Sequence, residues 1–370
     1  MNSIVNQFIS AFSASDIPGG YFTLFATIVI ISGLAVFGVM AVTALVAVYF
    51  ERKVSAFMQD RIGPMEVGIF GFKGGKKFWG GIGQTIADAL KLLTKEDIIP
   101  RLADRKLMML APFIIFGGAF ITFVGVPFSE GIVISDFNIG LFYIMAASSI
   151  GVIGVILAGW SSNNKWSLYG GMRSAAQIIS YEIPIALSLI LVVIVVGSLR
   201  MTDIVVWQAD HRWFIFHSPF AFLAFFIYFI SAVAETNRTP FDIPEAESEL
   251  VAGWMTEYSG FRWAVFFLSE YANMLIVSIV ASVVFLGGWL SPFQMFDFGL
   301  FPESWMLLDG PIWGLFWIVV KAMILIFVMM WFRWTFPRLR VDQLMTVCWK
   351  YLIPFALANV ILVSIWELIF

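Results

Sequence analysis

Eight apolar runs separated by polar connections account for most of this chain. They are Phe22–Phe50, Leu107–Val126, Gly140–Ala158, Ile183–Gly197, Phe220–Val233, Ala264–Trp289, Ile312–Phe332 and Tyr351–Phe370. A helix needs about 20 such residues to cross the hydrocarbon core of a bilayer. The fourth and fifth runs fall short of that and are expected to extend into their polar flanks. A different periodicity marks Phe78–Glu96. There Trp79, Ile82, Ile86, Leu90 and Leu93 fall along one helical face, with Gln84, Asp88, Lys91 and Lys95 elsewhere around it. That pattern predicts an amphipathic helix at the interface, either a surface anchor or one wall of an entrance for a lipid-soluble ligand. Ile4, Val5, Phe8, Ile9 and Phe12 repeat at helical spacing and predict a shorter surface helix. The predicted fold class is all-α: a polytopic integral membrane protein with eight transmembrane helices plus amphipathic interfacial helices, in one domain over residues 1–370.

Composition agrees, with 60% hydrophobic and 13% charged residues, where a soluble domain carries about 25% charged. Basic residues decide orientation. Of 22 Lys and Arg, 11 lie between Arg52 and Lys106, and 19 lie on the odd-numbered connections. Those connections are expected to face the cytoplasm, with both termini outward. Residues 51–106 then form a basic cytoplasmic loop and residues 235–263 an acidic one. Met1–Ser15 lack the positive region of a signal peptide, which favours a bacterial inner membrane over an organelle. No internal repeat is visible, which disfavours an inverted-repeat transporter.

Scarce residue types narrow the chemistry. Cys348 is the only cysteine, and His211 and His217 are the only histidines. One thiol cannot hold an iron–sulfur cluster, and two histidines in one loop read as polar loop residues rather than haem ligands. No metal-ligand set is present. Phe72–Lys77 lacks the spacing and hydroxyl of a phosphate-binding loop. Electrons handled here would arrive on a partner or a diffusible carrier. Nothing in the chain calls for a nucleic acid.

The costly positions are acidic. Glu235, Asp242, Glu245, Glu247, Glu249 and Glu257 crowd between the fifth and sixth runs, and like charges disfavour joint ionisation. Asp242 is expected to cap a helix beginning at Ile243, with Pro244 in its first turn and Glu245 at the third position. Asp242, Glu245 and Glu249 would then share a face, with Arg238 offsetting part of the charge. Glu182, Glu270 and Lys321 stand at or inside spans, where a charge costs roughly 2.5–3.5 kcal/mol unless it faces water or protein. Glu182 is expected near the cytoplasmic end of its span. Glu270 and Lys321 read as functional rather than merely paired. Glu367 is expected simply to reach the outer interface. Pro184 frees a backbone carbonyl and marks a kink or a water site. A proton-coupled machine needs such carboxylates. A lone ion-coupled transporter and a structural anchor for a peripheral enzyme are the competing readings.

Four stretches together carry a resemblance. They are Glu51-Arg52-Lys53 leading to Asp60-Arg61-Ile62-Gly63-Pro64, the run from Ala87 to Glu96, Gln177 to Glu182, and Ala234 to Leu250. Glu257-Tyr258, Glu270-Tyr271 and the run from Pro337 to Leu344 extend it over nearly the whole chain. The sequence resembles the family of membrane quinone-site subunits of respiratory complex I, the NADH-quinone oxidoreductase. The resemblance implies a subunit that walls the quinone chamber, beneath peripheral-arm partners carrying flavin and the terminal iron–sulfur cluster. Small and antiporter-like membrane subunits would be its other partners, and the surrounding lipid bilayer its solvent. Ubiquinone or menaquinone would be a substrate, reaching the chamber between the first span, the amphipathic helix and the sixth span. Arg52, Arg61, Asp88, Arg238 and Arg333 match positions associated with the family's quinone chamber. Glu182, Glu235, Asp242, Glu245, Glu247, Glu249, Glu257 and Glu270 match its acidic path toward the proton-pumping subunits. Lys321 matches a family lysine without an assigned role. Met65 stands where the family has Asn, and Lys73–Gly81 resembles a small insertion. Related subunits serve membrane-bound hydrogenases and dehydrogenases with donors other than NADH, and that alternative stays open.

Overall fold

A computed structural model describes residues 20–68, 80–243, 247–295 and 310–369. The expected N-terminal surface helix, the Phe72–Lys77 stretch and most of the Lys73–Gly81 insertion lie outside the described residues. The architecture is all-helical. In chain order the principal elements are α1 (Gly20–Met58), α2 (Gly83–Thr94), α3 (Arg105–Thr122), α4 (Gly140–Ser161) and α5 (Lys165–Val196). They continue as α6 (Met201–Asp210), α7 (Pro219–Glu235), α8 (Gly260–Phe285), α9 (Pro311–Thr335) and a composite α10 (Val341–Ile369). Seven of the described helices are long and apolar enough to cross a membrane. The predicted fifth span is α7, which has 17 residues and so covers only about 25 Å.

Two helices begin well before their apolar runs, for a physical reason. The fourth run, Ile183–Gly197, is expected to extend into its polar flanks, and α5 does so from Lys165, where Asn164 accepts the Trp166 amide. Its N-terminal half reads as loop because it is polar, but that polarity is spent on neighbouring backbone. Gln177 Nε2 donates to the carbonyls of Ala234 (2.7 Å) and Phe241 (2.8 Å). Glu182 consequently sits in the body of a helix rather than near its end. Likewise α10 starts at Val341, ten residues before the expected Tyr351, where the Arg340 amide donates to Gln343 Oε1.

Pro184 behaves as its chemistry demands. Lacking an amide hydrogen, it leaves the Ser180 carbonyl without its helical donor. Cys348 Sγ donates to that carbonyl at 3.1 Å, from a π-helical turn (Val347–Leu352) within α10. The freed group is satisfied by a neighbouring helix rather than by water.

The helix expected from Ile243 falls partly outside the described residues: Asp242 and Ile243 are non-helical, residues 244–246 are not described, and Glu247–Leu250 are helical. Asp242 pairs with Arg338, 3.1 Å away, while the Leu339 amide donates to the Pro240 carbonyl.

At the centre stands α8, packed against α1, α2, α3, α7 and α9. The most apolar window of α8 is 67% buried, against 17% for α1. Whatever α8 carries therefore faces protein, while most of α1 faces outward. Close packing elsewhere depends on glycine. A Cβ at Gly170 of α5 would lie 2.6 Å from the Gly253 Cα, so only glycine lets α5 meet the turn that presents Trp254.

Candidate functional site

The site begins where α1 leaves its apolar stretch. Phe50 ends that stretch and Glu51 follows, 6% exposed, too buried to be solvated by water. Its carboxylate is met from three directions. Tyr271 of α8 donates to Oε2, Arg333 at the end of α9 donates to Oε1, and Arg238 lies 3.7 Å from Oε1. The Arg238 guanidinium also stacks over the Tyr271 ring at 4.6 Å and approaches Glu270 at 3.9 Å. One carboxylate between two arginines would leave excess positive charge, and Glu270 offsets it.

Arg238 is placed by the turn that ends α7. Gln177 Nε2 closes that turn through its bonds to Ala234, Phe241 and the Asn237 Oδ1 (3.1 Å). Asn237 adopts φ +51°, and a cis Thr239–Pro240 bond follows. The same turn points Glu235 the other way, into a cavity of about 60 Å³. Glu270 lines that cavity too, as do Ser148, Asn237, Asn273 and Trp254. A second carboxylate, Glu182 of α5, neighbours Glu235. Glu182 Oε1 is buried with no hydrogen-bond partner among the described residues.

The exposed end of this line is an ion pair. Arg52, next after Glu51, meets Asp88 of α2 at 2.5 Å, and Gln84 donates to the other oxygen of that carboxylate at 3.0 Å. Helix α2 packs against both α1 and α8, the three elements expected to frame the entrance. Lys53, 1% exposed, ties the loop after α1 by donating to the Ile62 and Pro64 carbonyls. Arg61 is exposed, and its guanidinium bonds its near neighbour Gln59.

Other expected residues scatter. The six-carboxylate run is not one cluster. Glu235 enters the cavity and Asp242 pairs with Arg338. Glu249 is exposed and pairs with Arg173 at 2.7 Å. Glu257 accepts from Asn164 at 2.6 Å, at the N-terminus of α5, where the helix dipole favours an anion. Glu245 and the Glu247 side chain lie outside the described residues. Tyr258 packs beside Glu257 with its hydroxyl at Ser161, and burial pushes its phenol above the ordinary range.

Lys321 is anchored to backbone. Its ammonium donates to three backbone carbonyls, Leu286 (2.7 Å), Gly288 (2.8 Å) and Leu290 (2.7 Å), and sits 4.3 Å over the Trp213 ring. All three of its hydrogens are used, which makes it a pin for the chain leaving α8. Glu367, expected merely to reach the interface, accepts from His217 at 2.8 Å.

Sequence reasoning passes over Glu51 and Tyr271 as site residues. The signal is there: a glutamate directly after an unbroken apolar run is costly unless protein surrounds it.

The fold and site define a class, the polytopic α-helical membrane proteins that carry a line of ionisable side chains from a basic face into the interior. The family profile described as NADH dehydrogenase matches residues 31–364. The chain is 50% identical over 366 residues to the H subunit of the NADH-quinone oxidoreductase of Chlorobaculum tepidum, covering 98% of this chain and 97% of that one. The same-named proteins of Chlorobium luteolum and Bacteroides thetaiotaomicron are 52% identical over 323 residues and 46% over 364. These alignments cover 86% and 98% of this chain, and 83% and 96% of the relatives. The chain belongs to the family of NADH-quinone oxidoreductase H subunits.

Proposed function

We propose that this chain is the membrane subunit that forms the bilayer wall of a quinone chamber and couples quinone reduction to proton translocation. It would do so in a bacterial inner membrane, with both termini on the outer side. Partner subunits of the peripheral arm would carry the flavin and the iron–sulfur clusters, and antiporter-like membrane subunits would receive the signal. The observation that carries this reading is the line of ionisable groups from the Arg52–Asp88 pair, through Glu51 and Arg238, to the cavity of Glu270 and Glu235 and on to Glu182.

The chemistry follows from charge. Reduction of a quinone to a quinol takes two electrons from a partner cluster and two protons. A transient negative charge near Arg52 and Arg333 competes with Glu51 for the arginines. At an effective dielectric of about 20, unit charges 4 Å apart interact by about 4 kcal/mol. That is enough to release Arg238 toward Glu270 and alter which carboxylates of the line hold protons. Moving one charge through 100 mV takes about 2.3 kcal/mol, so a signal of this size is of the right order.

Replacing Glu235 or Glu270 with Gln tests this in the intact complex. NADH-driven quinone reduction is expected to fall at least tenfold. NADH oxidation by an artificial acceptor that draws electrons from the peripheral arm should stay within twofold. If both activities match wild type in both variants, the carboxylates have no coupling role.

A further inference from the structure

The cavity shared by Glu235 and Glu270 has polar groups on its wall that the acids alone do not explain. Asn273 lies three residues beyond Glu270 on α8, so both side chains leave the same helical face and line the same space. The other polar lining groups are engaged. Asn237 accepts from Gln177 and donates to Ser174. The hydroxyls of Ser148, Ser269 and Thr236 turn back to carbonyls of their own helices. Among the described residues, no hydrogen bond to protein occupies the Asn273 amide. Trp254 adds an independent observation. It lines the cavity at 2% exposure, and its Nε1–H is buried with no partner among the described residues.

A buried indole N–H is costly unless it is hydrogen-bonded, and native proteins rarely leave one so; the half-buried Asn273 amide borders the same space. About 60 Å³ of space open to water exceeds the roughly 10–15 Å³ that one water needs. Resting on the proton-coupling reading above, we propose that Asn273 is a positioning residue that, with Trp254, orients water between Glu270 and Glu235. The amide supplies two donors and one acceptor at a fixed place. Water held by those donors keeps its own hydrogens aimed at a carboxylate oxygen. In the transfer, the Glu270 O–H bond breaks as its proton joins the water oxygen. One of that water's original O–H bonds breaks in turn, and a new O–H bond forms on Glu235. Water is regenerated and no electrons move.

The test uses the assembled complex in its membrane, comparing Asn273→Leu and Asn273→Ser with wild type. Asn273→Leu is expected to cut NADH-driven quinone reduction about tenfold and raise its solvent deuterium isotope effect, with the KM for quinone unchanged. Artificial-acceptor activity should stay at the wild-type level. Asn273→Ser, which keeps a water-binding hydroxyl, should recover at least half of the lost turnover and return the isotope effect to normal. Wild-type turnover in Asn273→Leu would overturn the proposal. So would equal losses in both variants with an unchanged isotope effect, since packing alone accounts for that. If Asn273→Leu does not assemble, Asn273→Ala decides by the same two readouts. Glu270→Gln is measured in parallel. Impaired Glu270→Gln beside unimpaired Asn273→Leu sinks only the water-positioning role. Unimpaired Glu270→Gln removes the relay itself, and this inference with it.

Discussion

Glu51 is a buried carboxylate and Glu235 a half-buried one, and their surroundings differ in kind. Glu51 has two arginines and a tyrosine hydroxyl converging on it. Glu235 has a water-sized cavity on one side and another acid, Glu182, on the other, and no Lys or Arg pairs with it among the described residues. The first group is held in one charge state by its neighbours. The second has nothing fixed to balance it, so a proton is its natural counter-charge. Arg238 stands between them, 3.7 Å from Glu51 and 3.9 Å from Glu270. A charge-balanced half beside a proton-balanced half is what converts an electrical event into a proton movement.

The comparison is broken most severely at Glu51. Glu51→Ala leaves Arg333 and Arg238 without their shared anion, and removing one partner of a buried pair costs about 3–5 kcal/mol. A large fall in the thermal midpoint for retaining this subunit in the purified complex is expected. Glu235→Gln, heated in the same way, should cost no more than about 1 kcal/mol of stability and move that midpoint little, because a neutral isostere abandons no cation. Equal destabilisation by the two substitutions would erase the distinction between the two halves.

Lys321 sharpens the contrast from the opposite sign. It is a buried cation with no acid paired to it among the described residues, held by three carbonyls on the far side of α8 from the basic loop. Hydrogen bonds to charged groups are each worth about 1.5–3 kcal/mol, and the abandoned carbonyls add a penalty. Lys321→Met should destabilise the subunit by about 2–4 kcal/mol. The turnover of whatever complex assembles should remain near normal. A loss of proton translocation at wild-type stability would instead make Lys321 a carrier.

Much of this is legible in the sequence, and the failures have a common cause. Apolar runs announce helices that meet lipid, so α1, α3, α4, α8 and α9 are readable. They do not announce a helix whose polar residues serve neighbouring chain. Gln177 and Ser180 make half of α5 look like a loop, although one donates to two carbonyls and the other's carbonyl accepts the Cys348 thiol. For the same reason the pairing of Asp242 with Arg338, 96 residues away, is invisible in the sequence. The resemblance supplies Arg238, Arg333 and Glu270 as separate positions. That all three meet around Glu51 needs the packing of α8 against α1 and α9. Glu51 itself is visible as a charge in an awkward place, but only its neighbours show why it is tolerated.

The smallest expected effect lies at the exposed end of the line. The side chains of Arg52 and Asp88 are 43% and 32% exposed, and ion pairs in that setting contribute at most about 1 kcal/mol. Arg52→Gln should therefore leave thermal stability nearly unchanged, in contrast to Glu51 one residue earlier. If the pair guards the entrance, the substitution acts on binding. The KM for a short-chain quinone should rise about three- to tenfold while kcat holds, a loss of roughly 0.7–1.4 kcal/mol of ground-state interaction. Because water reaches the pair, added salt should narrow the gap between variant and wild type. A fall in kcat at constant KM would place Arg52 inside the relay. The boundary between fixed and proton-balanced charge would then begin at the surface rather than at Arg238.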